Sequence, residues 1–287
     1  MPSVRIALPE ALRPRAEAAA LRLPGPRPQL ISPPLPADPR QRLRWQRLWQ
    51  ERRAGAGASP AEAEAALHNP LLRAVLLTLD RGADAALLDE GDAGCAAAWQ
   101  LLEPLQPTGA CAELYLGSLP GATAPAPGFG WFDWPASGEL SPAASQFHAA
   151  VAETARLAQA PAVPLLVDFS NGRNPLRPQW ERWLLTLQAR MPAQSCQLYS
   201  PLFYRQGELQ AAALVDAVGL ISRAATPVLC VPRLARRDFA ASLLAAGGRW
   251  AGPFRAGAEV PAARLAPHAD AASCQATLEW LSRALAA

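Results

Sequence analysis

Residues 228–248 read VLCVPRLARRDFAASLLAAGG. An apolar run opening at Val228 is followed by a turn carrying Arg233, Arg236 and Arg237, and then by an Ala- and Leu-rich stretch of helical composition. A short buried strand that passes through a turn into a helix is the building unit of an α/β fold. In open α/β sheets, ligands bind where the strands end. Three arginines at such a turn either hold an anion in a site or replace residues that once made one, and the rest of the chain bears on the choice.

Outward from this stretch the same alternation recurs. Val4 to Leu8 is a short apolar run, Glu10 to Leu23 has helical composition, and Gln29 to Ser32 is apolar again before the proline-rich ISPPLPADP, which together predict a β-α-β opening. Arg40 to Arg53, RQRLRWQRLWQERR, interleaves arginines with Leu43, Trp45, Leu48 and Trp49. That pattern raises nucleic acid binding, but it is read first as a helix anchored by its Leu and Trp residues with a solvated Arg face. Ser59-Pro60-Ala61-Glu62 predicts a helix start with Ser59 as N-cap. His68-Asn69-Pro70 separates that helix from a second, Leu71 to Leu79, which stops near Gly82, and Ala85 to Leu88 reads as a compact buried strand. Gly117 to Gly138, GSLPGATAPAPGFGWFDWPASG, is read as a long loop or domain crossing, with Phe129, Trp131, Phe132 and Trp134 packing beneath it. Beyond it, helices are expected over 141–159, 179–190 and 209–224, with a strand over 163–169. Short strands alternating with helices predict a mostly parallel sheet covered on both faces.

The 287-residue chain is 51% hydrophobic and 18% charged, a globular balance, and its positive charge is carried by arginine alone. No run of about 18 apolar residues free of charge predicts a membrane span. The N-terminus shows no basic segment followed by an apolar one and a small-residue cleavage site, so the expectation is a soluble, cytoplasmic protein. Five widely spaced cysteines, Cys95, Cys111, Cys196, Cys230 and Cys274, fit buried thiols rather than a disulfide framework or a CxxC metal site. No nucleophile elbow, Walker or Rossmann glycine signature is present, and His68, His148 and His268 have no evident partners.

Four segments together resemble the phosphate acetyltransferase and phosphate butyryltransferase family. They are VRIALPEALRPRAEAAALRL, with Pro9-Glu10 at a turn and Arg15 after it; LWQERRAGAGASPAEAEAALHNPLLRAVLLTLDRGADAALLDEG; SPAASQFHAAVAETARLAQAPAVPLLVDFSNG; and VLCVPRLARRDFAASLLAAGGRWAGPFRAG. The resemblance implies two α/β domains of the isocitrate dehydrogenase-like kind with an interdomain cleft. The first domain is expected at residues 1–118 with the returning 255–287, the second at 119–254. It further implies a homodimer, coenzyme A or acyl-CoA as ligand, and acyl transfer between CoA and phosphate. In that chemistry arginines neutralise phosphate, an Asp takes the thiol proton and a Ser stabilises the transition state.

The resemblance breaks at the chemical positions. The family's closing Ser-Arg turn and later Asp align with Ala266, Pro267 and Ser273 in ARLAPHADAASCQAT, and none of these side chains supplies a cation or a base. A slip of two or three residues brings Asp270 to the base position and His268 near the phosphate, so these two are the rescue candidates. The family's Pro-Asp-Leu is Pro232-Arg233-Leu234, an acid near the cleft is Arg205, and the helix from Cys95 to Leu105 has no Arg. The loop after the 163–169 strand keeps Ser170 and Gly172 but adds Arg173. Ser170, Arg173, Arg233, Arg236 and Arg237 are accordingly the anion-binding candidates, the three last either binding a different anion or being solvated. The leading expectation is a catalytically degenerate relative acting as a binding or assembly partner. The alternative is an active acyltransferase whose chemistry has moved to Asp270, His268 and Arg173, and nucleic acid binding through Arg40–Arg53 ranks last. No metal is expected, and no membrane partner.

Overall fold

A computed structural model describes residues 3–53, 58–102, 112–118, 129–133, 165–168, 182, 197–199, 228–230, 244–245, 247–256, 261–266 and 269–286. The chain divides into two compact units, residues 1–109 with 252–287 and residues 110–251.

In the first unit the predicted β-α-β opening is present: β1 (Arg5–Ala7), a 3-10 turn (Glu10–Leu12) running into α1 (Arg13–Ala20), and β2 (Gln29–Ile31). It continues with α2 (Pro39–Arg52), α3 (Pro60–Leu67), α4 (Pro70–Leu79), β3 (Ala85–Asp89) and α5 (Cys95–Leu101). The chain later supplies β9 (Arg249–Ala256), which enters this unit at Gly252, then β10 (Ala262–Leu265) and α6 (Ala271–Ala286). The strand order is β2-β1-β3-β10-β9. The first four strands run parallel, with Ile6 opposite both Leu30 and Ala85 and Leu87 opposite Ala263, and β9 runs antiparallel to β10 with Phe254 opposite Ala263.

Alternation along the strands sends side chains to two covered faces, as a parallel sheet requires. Ala7, Ala86 and Leu88 join Trp45, Trp49, Leu71, Val75 and Trp99 in one core with α2 to α5. Ile6, Ala85 and Leu87 lie outside that core and are equally buried, while α1 packs on α6 and α6 on β10.

Local chemistry sets the helix starts. Asp38 accepts from the Arg40 N–H at 3.0 Å, and Asn69 accepts from those of Leu71 and Leu72 at 2.8 and 3.4 Å. Ser59 and Glu62 form the reciprocal capping box expected at α3, and the Ser59 N–H holds the Glu62 carboxyl below its usual range. At the end of α4, Arg81 takes the left-handed φ of 60° while the Gly82 N–H reaches back to Leu77 O at 2.8 Å. The helix thus stops on an arginine in the position glycine usually fills.

β1 is tied to the turn before β3 by Arg5, whose Nη2 and Nε donate to Asp84 at 2.7 and 3.2 Å while its main-chain N–H donates to Asp84 Oδ2 at 2.8 Å. The guanidinium's hydrogen bond holds the Asp84 carboxyl below the usual range. A depressed carboxylate stabilises the fold above its unfolded pKa of about 4 and loses that contribution as pH falls through the folded value. Both side chains are about a third or more exposed, so solvent screens the pair and its contribution is small. Asp84→Asn should therefore lower neutral-pH stability slightly and flatten the fall in stability below pH ~4, read from urea midpoints across pH.

In the second unit β4 (Ala112–Ser118), β5 (Phe129–Asp133), β6 (Leu165–Asp168), β8 (Val228–Cys230) and β7 (Gln197–Tyr199) follow one another across the sheet in that order. β4 and β5 are antiparallel, with Tyr115 opposite Trp131, and the other pairs are parallel, with Leu165 opposite both Gly130 and Leu229.

Two expectations need correction. The stretch 117–138 is not a continuous loop, because Phe129–Asp133 is a paired strand whose Phe and Trp residues favour a pleated surface despite flanking Pro and Gly. α2 is anchored by Trp45 and Trp49, but Leu43 is 48% exposed. Nor is its Arg face simply solvated: Arg42 pairs with Glu64, Arg44 with Asp80 at 2.5 Å, and Arg53 lies over the Trp49 ring. The helices expected over 141–159, 179–190 and 209–224 lie outside the described residues. Among the described residues no helix is long and apolar enough to cross a membrane.

Candidate functional site

The carboxyl ends of β1, β3 and β10 lie at one edge of the first unit's sheet, with Leu265 in register with Asp89 and Ala7 with Ala86. This is the edge where α/β folds place ligands. The segment between β10 and α6 is the one that the resemblance aligns with the family's Ser-Arg and Asp.

Its geometry is that of a well-tied helix start. Asp270 is exposed, and its Oδ1 accepts from the Ser273 N–H at 2.8 Å while its carbonyl accepts from the Cys274 N–H at 3.0 Å. The carboxylate offered as a rescue base therefore caps α6, the role Asp favours at such a position. Ala266 closes the turn by accepting from the Ala269 N–H at 3.0 Å, and Arg15 Nη2 donates to Ala269 O at 2.5 Å, tying α1 to the turn. Arg15 thus meets a neutral carbonyl here. Ser273 is 1% exposed and its Oγ has no hydrogen-bond partner. An unpartnered, buried hydroxyl at the position aligned with the Asp is neither a base nor an accessible donor.

The thiols nearby are inert. Burial pushes Cys274 and Cys95 up to about 11, against a small opposing pull from Arg15 on the first and Arg264 on the second. Both are free and buried, as expected, and at neutral pH neither presents a thiolate.

At the end of β3, Asp89 and Asp92 accept from the Gly91 and Gly94 N–H groups at 2.9 and 2.7 Å, closing two turns before α5. α5 presents Trp99 where the resemblance expects an arginine-bearing helix, and the Arg264 guanidinium of β10 lies 4.6 Å from its ring centroid. Sequence reasoning did not single out Arg264, because the signal is a contact between two elements far apart in the chain.

His268, Ser170, Arg173, Arg233, Arg236 and Arg237 lie outside the described residues. The strands preceding the last five, β6 and β8, are parallel neighbours with Leu166 opposite Cys230. Among the described residues no group of three or more His, Cys, Asp or Glu side chains is placed to hold a metal.

A second feature at the same edge is a cavity of about 240 Å³ beside the ends of β1 and β2, lined by Leu8, Pro9, Glu10, Ser32, Pro33, Pro34, Pro70 and Arg73. It was not foreseen from sequence, since its walls come from three separate segments.

No protein-family model and no curated protein matches the sequence. Solved structures do share its fold. The EutD phosphotransacetylase from Staphylococcus aureus superposes with a TM-score of 0.58 over 99% of this chain and 94% of that one, at 17% identity. A phosphotransacetylase from Streptococcus pyogenes gives 0.58 over the same shares at 16% identity. A branched-chain phosphotransacylase from Enterococcus faecalis gives 0.54 over 98% and 99% at 11%.

Proposed function

We propose that the chain is a phosphate acyltransferase-like protein that keeps, without the acyl-exchange chemistry, the α/β scaffold with a mostly parallel sheet that it shares with those phosphotransacylases. In this reading it acts in the cytoplasm as a homodimeric binding or assembly partner, with acyl-CoA or another anion as small-molecule ligand. The observation that carries the reading is the turn between β10 and α6, where Asp270 caps the helix, Ser273 is buried, and Ala266 has no donor side chain. A reacting phosphate needs fixed cations and a CoA thiol needs a base. Arg15, which reaches this turn, donates to a main-chain carbonyl.

Purified full-length protein given acetyl-, butyryl- and longer-chain CoA thioesters with saturating phosphate should release CoA thiol no faster than buffer. Turnover in the usual enzymatic range, about 1–1000 s⁻¹, would overturn the proposal. Asp270→Asn then decides where the chemistry resides, because Asn caps a helix as well as Asp but cannot accept a proton. Loss of turnover in that variant, with the fold retained, makes Asp270 the base.

A further inference from the structure

We propose that the cavity between the ends of β1 and β2 and the start of α4 binds a small monocarboxylate, its carboxylate on Arg73 and its apolar body against the proline walls. Arg73 stands in the first turn of α4. Its Nε donates to Pro33 O at 2.9 Å and its Nη1 to Leu67 O and His68 O, each at 3.0 Å. All three acceptors are neutral carbonyls, so the guanidinium is held rigidly in place with its charge uncompensated. Among the described residues its Nη2 has no hydrogen-bond partner, which leaves one donor arm for a ligand. A carboxylate on a fixed guanidinium forms a charge-assisted hydrogen bond, roughly twice as strong as a neutral one.

The walls define the rest of the ligand. Pro9, Pro33, Pro34 and Pro70 carry no N–H, so the lining is poor in main-chain donors. Ser32 Oγ, in the same wall, is buried without a partner, a hydroxyl available to a second ligand oxygen on rotation about its own Cα–Cβ bond. The volume of about 240 Å³ falls below the range of roughly 300–1,000 Å³ for drug-sized ligands, which sets the size at that of benzoate or a short acyl acid. Glu10 stands at the lining with its side chain 75% exposed, 3.9 Å from Arg13. Its negative charge opposes a doubly charged ion more than a singly charged one, and so selects a monocarboxylate over phosphate.

The test uses benzoate, hexanoate and inorganic phosphate as probes on the full-length protein, with binding followed by backbone amide NMR shifts and by calorimetry. Benzoate or hexanoate should move the amides of Leu8, Glu10 and Ser32, and phosphate should bind at least tenfold more weakly. Arg73→Gln should weaken the carboxylates at least tenfold. Because Arg73 also ties α4 to the β2 end, a folded Arg73→Gln protein is required, and Glu10→Gln, on an exposed side chain, provides the second variant. Glu10→Gln should narrow the gap between phosphate and carboxylate. Absence of carboxylate shifts at tens of millimolar probe, phosphate binding as tight as benzoate, or carboxylate binding indifferent to both substitutions would each overturn the proposal. None of these readouts involves a CoA thioester, so the result stands apart from that of the acyl-exchange assay.

Discussion

Gly252→Ala should lower the melting temperature by roughly 10 °C, a loss on the order of 4 kcal/mol, larger than most single substitutions produce. Gly252 lies in β9 with its residue buried, and a Cβ built on it falls on the carbonyl oxygen of Arg264 in β10 and 2.7 Å from that carbonyl carbon. The obstacle is main chain, so no side-chain rotation relieves it, and β9 and β10 must separate. The separation also costs what the Gly252 N–H gains from Thr277 Oγ1, 3.4 Å away on α6, whose own hydroxyl donates to Ser273 O at 2.9 Å. Overpacking between paired strands therefore reaches the start of α6, where Asp270 and Ser273 lie. Gly25→Ala is the control: nothing stands within 4 Å of its Cβ, and it should change stability by less than about 0.5 kcal/mol. Equal melting temperatures for Gly252→Ala and Gly25→Ala would show that β9 and β10 do not approach as closely as described.

The same pair of strands marks where the sequence stops being legible. Ser59-Pro60-Ala61-Glu62 and Asn69-Pro70 announce their helices because capping is a matter of neighbours in the chain. Ala85–Asp89 announces a strand because it is a dense apolar run fully covered by helices. β10 is AARL, with two alanines of low strand preference, and is a strand because Ala262 to Leu265 pair in parallel with Ala86 to Asp89 of β3. β9 contains Gly252-Pro253, two residues that strands disfavour, and is a strand through its antiparallel pairing with β10. β5 was hidden in the same way by its Pro- and Gly-rich flanks.

For the candidate site the division is similar. That Ala266, Pro267 and Ser273 stand where the resemblance expects Ser, Arg and Asp was legible as an expectation, since a resemblance compares residue with residue. What Asp270 does instead was not, because capping α6 required knowing that α6 begins at Ala271. Arg73 could not be singled out either. Its place at a cavity depends on carbonyls from Pro33, Leu67 and His68, and on prolines from three segments, which no spacing along the chain records.

Trp45→Ala should cost about 3–5 kcal/mol, the range for truncating a large buried aromatic. Trp45 is 1% exposed at the centre of the core that α2 shares with α3, α4 and β3, so the vacated volume has rigid walls and collapses little. It also has a polar attachment: Nε1–H donates to Asp80 Oδ2 at 3.0 Å, the oxygen that accepts Arg44 Nη2. Trp45→Phe separates the two contributions, since it keeps most of the apolar bulk and removes the N–H, and it should cost about 1.5–3 kcal/mol for a bond to a charged acceptor. Arg47→Ala, on an exposed position of the same helix, should stay within about 0.5 kcal/mol. Urea midpoints for the three variants place α2 among the elements held by buried tryptophan if Trp45→Ala exceeds Trp45→Phe. Equal losses would assign the effect to the Asp80 hydrogen bond, and a large loss in Arg47→Ala would mean that the arginines, rather than the tryptophans, hold this helix to the fold.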